Sequence, residues 1–175
     1  PNGVSFSTRS DRARILLAHL ALKKEMGSSR AAVESILFDD ELGRSAPNLA
    51  LLLTRLKASL SKHPSPSPLV VRPARIALDK SMICSDLGQF EQLLERAKSQ
   101  FDPLAKGSLL VEALKLVTGR PVPDLDHPLL TSDRSRIERM ILTAMGELAT
   151  GPLGPQHRDL LLPLLEEFAD NSLYD

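Results

Sequence analysis

The 175-residue sequence predicts a mainly α-helical chain in two modules, the first of them closed by a short β-hairpin. Three observations carry this. Leucine and alanine recur every three or four residues through most of the chain, the spacing that aligns one face of an α-helix. A single proline–serine stretch, "HPSPSP" (His63 to Pro68), breaks the pattern and is followed by "LVVRPARIALD", which has the β-branched content and turn signal of a hairpin. Charge also divides along the chain. Residues 1–80 hold 13 Lys+Arg against 7 Asp+Glu, a balance of +6, whereas residues 81–175 hold 9 against 15, a balance of −6. Halves of opposite sign predict modules with different partners, the basic one suited to a polyanion; the alternative is that the halves neutralise each other.

In the first module, residues 1–80, "STRSDRARILLAHLALKK" offers polar N-caps and then gathers Ala13, Leu16, Leu17, Leu20 and Ala21 on one helical face. Gly27 stops that helix. Ser29 caps a second, shorter one, with Val33, Ile36 and Leu37 at helical spacing. "ELGRSAPNLALLLTRLKASLSK" makes a third, with Ser45 as the expected cap and Pro47 tolerated in the first turn, where backbone N–H groups lack intrahelical acceptors. Three helices and a hairpin describe a winged helix-turn-helix. "NGVSFS" at the start reads as a strand with no partner before it, so the N-terminal sheet is expected to be incomplete.

The second module, residues 81–175, reads as wholly helical. Asp86 is the expected cap of a helix carrying Leu87, Phe90, Leu93, Leu94 and Ala97. The next runs through Leu109, Leu110, Ala113, Leu114 and Val117 to Gly119, and "RPVPDLDHP" follows as a proline-punctuated loop. "SDRSRIERMILTAMGELATG" and "GPQHRDLLLPLLEEFADN" supply two more amphipathic helices. Helix pairs of this size stack into TPR-like arrays, because one pair alone cannot bury its apolar face. The strict 34-residue consensus is not visible.

Several chemistries find no residues to carry them. There is no phosphate-binding glycine loop, no H-E-x-x-H and no nucleophile elbow, so an enzyme is not expected, nor is a cofactor. Asp39/Asp40 and Glu166/Glu167 read as solvated faces or helix ends rather than an acid and a base. His19 reads as a boundary residue, Met140 and Met145 as core filler, and the sole cysteine, Cys84, as a small buried hydrophobe. Four scattered histidines lack zinc-ligand spacing. The longest apolar runs, such as "ILLAHLAL", fall far short of the roughly 20 residues that cross a bilayer, and no signal-peptide pattern opens the chain. A cytoplasmic location is therefore expected.

The stretch "SAPNLALLLTRLKASL" decides whether the first module does more than fold. On a helical wheel Leu49, Leu53, Leu56 and Leu60 form a core stripe, and the other side carries Leu51, Thr54, Arg55, Ala58 and Lys62, flanked by Asn48 and Lys57. An apolar inner face backed by a mixed, net-positive outer one fits a groove of DNA. Arg55 is expected at a base edge or phosphate, Asn48 and Thr54 at polar contacts and Leu51 at a thymine methyl. Lys57, Lys62, Arg72 and Arg75 are expected to hold phosphates.

The order of these residues resembles the bacterial transcriptional activators of the antibiotic regulatory protein (SARP) type. These join a response-regulator-like winged helix to a bacterial transcriptional activation domain (BTAD). "SRAAVESILF" is similar to the second helix of that family, with Phe38 where tryptophan is usual, "SAPNLALLLTRLKASL" to the recognition helix and "LVVRPARIALD" to the wing. In the second module Asp86, Phe90, Ala97, Glu112, Ala113, Leu114, Gly119, Pro121, Asp124, Arg134, Arg136 and Glu138 fall on the family pattern, and the likeness runs from Gly3 to Glu167. Two departures stand out: the wing has Pro73, Ala74, Arg75 and Ile76 in place of a glycine-rich turn before an aromatic residue, and Leu51 and Leu52 occupy positions that are often polar.

The resemblance implies a DNA-binding transcription regulator, an activator whose helical domain touches RNA polymerase and helps two protomers sit together on double-stranded DNA. The unpartnered opening strand and about two helical pairs predict a piece of a longer regulator. A rival reading is a protein-interaction scaffold in which the winged helix no longer binds DNA and the outward leucines are covered by a partner.

Overall fold

In the computed structural model, residues 8, 10–23, 27–38, 45–61 and 67–169 are described. They form seven α-helices and a small three-stranded antiparallel sheet. The chain divides into two compact units, Pro1–Ile83 with Leu125–Asp133, and Cys84–Asp124 with Arg134–Asp175. The division expected after Lys80 thus falls after Ile83, and a later segment groups with the first unit.

The first unit opens with α1 (Asp11–Leu22), where Ser10 accepts a hydrogen bond from the Ala13 N–H and so satisfies a first-turn donor. β1 (Ser28–Ser29) follows, then α2 (Arg30–Leu37), α3 (Ser45–Leu60), β2 (Leu69–Val71) and β3 (Arg75–Leu78). Ser29 does two jobs: it pairs in the sheet opposite Arg75, and its hydroxyl accepts from the Ala32 N–H to cap α2. The sheet order is β1-β3-β2, with Ser28 opposite Ile76, and Leu69, Val70 and Val71 opposite Leu78, Ala77 and Ile76.

The expected hairpin is therefore present, and its third strand comes from the link between the first two helices. The opening stretch "NGVSFS" lies outside the described residues. Gly27 makes β1 possible. Its φ is +65°, and a Cβ there would collide with the Ile76 carbonyl oxygen, so only glycine lets the chain turn this close to β3.

The core of this unit is built from Ala13, Leu16 and Leu20 of α1, Val33 and Leu37 of α2 with Phe38, Leu49, Leu53 and Leu56 of α3, and Leu69 and Ile76 of the hairpin. Leu60 packs on it partly buried, as does Leu52. Leu52 thus packs inward, although it neighbours the exposed Leu51 in the chain. The Arg12 guanidinium lies 4.7 Å from the centroid of the Phe38 ring.

The second unit comprises α4 (Asp86–Lys98), α5 (Pro103–Leu114), most of α6 (Pro128–Thr150) and α7 (Arg158–Ala169). The cap of α4 is Ser85, which accepts from the Gly88 N–H; Asp86 is the first helical residue. Asp102 caps α5 and receives the N–H groups of Leu104 and Ala105, ahead of Pro103. α5 ends at Leu114, so Val117 lies beyond the helix that the apolar spacing had extended to it.

α4 packs on α5, and two ion pairs tie α6 to them: Arg136 with Glu91 at 2.8 Å and Lys106 with Glu147 at 2.7 Å. The proline-rich loop is held by Arg134, whose Nη2 donates to the Val122 carbonyl at 2.6 Å. Phe90, Leu94, Leu110, Leu114, Ile141, Met145, Leu148 and Phe168 are among the buried residues. Met140 is only partly buried, and the Arg136 guanidinium donates to its sulfur. Cys84 is exposed rather than buried, and its Sγ accepts from Gln89 Nε2.

Candidate nucleic-acid interface

α3 presents two different faces. Leu49, Leu53 and Leu56 recur at four and three and are buried, which leaves Pro47, Ala50, Leu51, Thr54, Arg55, Lys57 and Ala58 exposed. Ser45, the expected cap, is itself helical, and its hydroxyl donates to Glu34 Oε1 of α2 at 2.9 Å. That bond links the start of α3 to α2. Asn48 is half-buried. Thr54 donates its hydroxyl hydrogen to the Ala50 carbonyl one turn back at 2.9 Å, so that donor is used inside the helix.

Arg72 and Arg75 flank the hairpin turn. Their backbones pair, Arg72 N–H to the Arg75 carbonyl at 2.8 Å and Arg75 N–H to the Arg72 carbonyl at 3.3 Å, which leaves Pro73 and Ala74 as a two-residue tip. The tip is anchored, because the Ala74 carbonyl accepts the Arg30 N–H at the start of α2. Both arginines are exposed. Arg55, Lys57, Arg72 and Arg75 are thus presented outward by elements that share one core. Lys62 lies outside the described residues, as do Asp39 and Asp40. Glu166 and Glu167 are exposed near the end of α7.

A second polar constellation went unseen in the sequence. His19 is 3% exposed, not a boundary residue, and its Nε2 lies 2.9 Å from Ser28 Oγ. Its Nδ1 lies 3.4 Å from Asp133 Oδ2, an electrostatic contact rather than a short hydrogen bond, and Lys23 Nζ is 3.3 Å from the same oxygen. Burial pushes the imidazole below its ordinary 6.5; the Asp133 charge opposes this and Lys23 adds to it, and burial prevails. Serine, histidine and aspartate in this order are the parts of a nucleophilic triad. Here Ser28 is 8% and Asp133 5% exposed, so the trio acts as a buried polar tie between α1, β1 and residues 125–133. Nothing in local spacing could have revealed it.

No protein-family model matches the chain, and no curated protein matches it. Among the described residues no helix is long and apolar enough to cross a membrane, and no group of His, Cys, Asp and Glu is arranged to hold a metal ion.

Proposed function

We propose that the chain is a DNA-binding transcription regulator in which the first unit is a winged helix-turn-helix, α3 its recognition helix and the β2–β3 hairpin its wing. The observation that carries this is the division of α3 into a leucine face locked in the core and an exposed face bearing Arg55 and Lys57, together with a hairpin on the same core whose tip presents Arg72 and Arg75. A helix so held can enter the major groove while the wing meets the backbone. The +6 balance of residues 1–80 favours a polyanion over a neutral partner.

In this reading the second unit is a TPR-like activation domain of the BTAD kind, supported by the packed α4–α5 pair and its ion pairs to α6. By the sequence resemblance the protein is of the SARP type, acts in the cytoplasm, touches RNA polymerase and binds double-stranded DNA as a pair of protomers.

One observation favours the scaffold reading: Leu51 is 49% exposed, and Phe101, Leu104, Leu142, Leu162 and Leu165 are exposed in the second unit. Partial burial of Leu52 removes the paired outward leucines on which that reading first leaned. Electrophoretic shift of a pool of random duplexes separates the two. A shift at low salt that weakens steeply as salt rises supports DNA binding, with about 0.9 log unit per log unit of salt for each phosphate held. A folded protein that shifts no duplex at low salt overturns it.

A further inference from the structure

We infer that α3 discriminates between DNA sites chiefly by contact with thymine methyl groups, with Leu51 and Thr54 as the specificity-determining residues; this rests on the DNA-binding reading above. The exposed face of α3 has a midline opposite the buried stripe. Pro47, Leu51, Thr54 and Ala58 follow one another there at intervals of four, three and four, and all four are exposed. None of the four brings a free hydrogen-bond donor to the midline. Proline, leucine and alanine side chains have none, and the Thr54 hydroxyl donates back to the Ala50 carbonyl. What this line offers a groove is a leucine side chain, short apolar groups and the Thr54 methyl.

Charge lies to the sides. Arg55 projects from one flank and Lys57 from the other, where they meet phosphates or a guanine at the edge of the contact. In the major groove thymine alone among the four bases shows a methyl group, and apolar side chains pair with it. A helix with an apolar midline and charged flanks therefore sorts bases by the presence of that methyl more than by a donor and acceptor code. Thr54, expected from sequence to make a polar contact, is reassigned to the same apolar role. Leu51, at 49% exposure, is the largest apolar group on the line and covers the most methyl surface.

The test uses the full chain. Duplexes enriched from a random pool are remade with single thymines replaced by uracil, which deletes only the methyl, and affinities are measured by titration. Burying a methyl-sized group predicts a loss of about fourfold at each contacted thymine. Leu51→Ala should abolish the thymine-to-uracil ratio at one position, and Thr54→Ser, which keeps the hydroxyl and removes the methyl, at a neighbouring one. Arg55→Ala should weaken both duplexes alike and keep the ratio. Circular dichroism of each variant establishes that it is folded. Tight binding by the wild type with equal affinity for thymine and uracil at every position overturns the inference and leaves DNA binding standing, as does a ratio unchanged in both Leu51→Ala and Thr54→Ser. Failure to bind any duplex overturns the DNA-binding reading and this inference with it.

Discussion

His19 Nδ1 stands 3.4 Å from Asp133 Oδ2, with both side chains buried, so an imidazole of α1 and a carboxylate of α6 share one buried site within the first unit. Lys23 Nζ, Ser28 Oγ and the backbone of Leu129 add to its polar surroundings. Because burial holds the folded-state pKa of His19 below 6.5, the unfolded chain binds the proton more readily. The stability this burial permits is complete above pH 6.5 and is lost as pH falls from there through the lowered value. His19 Hε1 in an NMR titration should therefore move with a midpoint below 6.5, and a midpoint at or above 6.5 contradicts the sign. Between about pH 7 and pH 5 the melting temperature of the wild type should fall further than that of His19→Gln, which has no group to titrate there.

Asp133→Ala removes the carboxylate that faces both His19 and Lys23. Leaving the buried His19 without it should cost about 1–3 kcal/mol, read from the urea midpoint. The same variant should lower the His19 titration further, since the Asp133 charge is the largest of the influences that raise it. An unchanged titration would show that the two groups are not coupled.

Gly27→Ala should destabilise the first unit by about 1–3 kcal/mol or more. Positive φ disfavours any Cβ, and this one would collide with backbone at Ile76, which cannot swing aside as a flexible side chain can. Chemical denaturation measures it, and the loss of pairing between β1 and β3 should appear as faster amide exchange at Ser28 and Ile76.

Two leucines of α3 should behave oppositely. Leu49→Ala opens a hole in the packed core and should cost about 2–5 kcal/mol. Leu51→Ala trims an exposed side chain and should change stability by less than about 0.5 kcal/mol. Equal losses would mean that the outward face of α3 is packed after all.

Arg72→Ala and Arg75→Ala should each reduce the slope of log affinity against log salt by about 0.9 if each arginine holds one phosphate. Their stability should barely move, since both side chains are exposed at the hairpin tip. A DNA affinity that keeps its full slope in the double variant removes the hairpin tip from the proposed interface.

Sequence alone determined the helices, the hairpin and the two faces of α3, because each depends on residues within a few positions of one another. Leu49, Leu53 and Leu56 announce their stripe by a period that any helix must share, and Ser29 announces its cap by standing one residue before the helix it starts. Tertiary structure decided the rest. A two-residue strand such as β1 has no pattern of its own and exists only because Gly27 lets it approach β3. Leu51 and Leu52 look alike as neighbours in the chain, yet one turns outward and the other packs on the core. The burial of His19 needed Asp133, and no local period can report a partner supplied from so far along the chain. The cost of burying a polar group is met only where folding brings its partners to it.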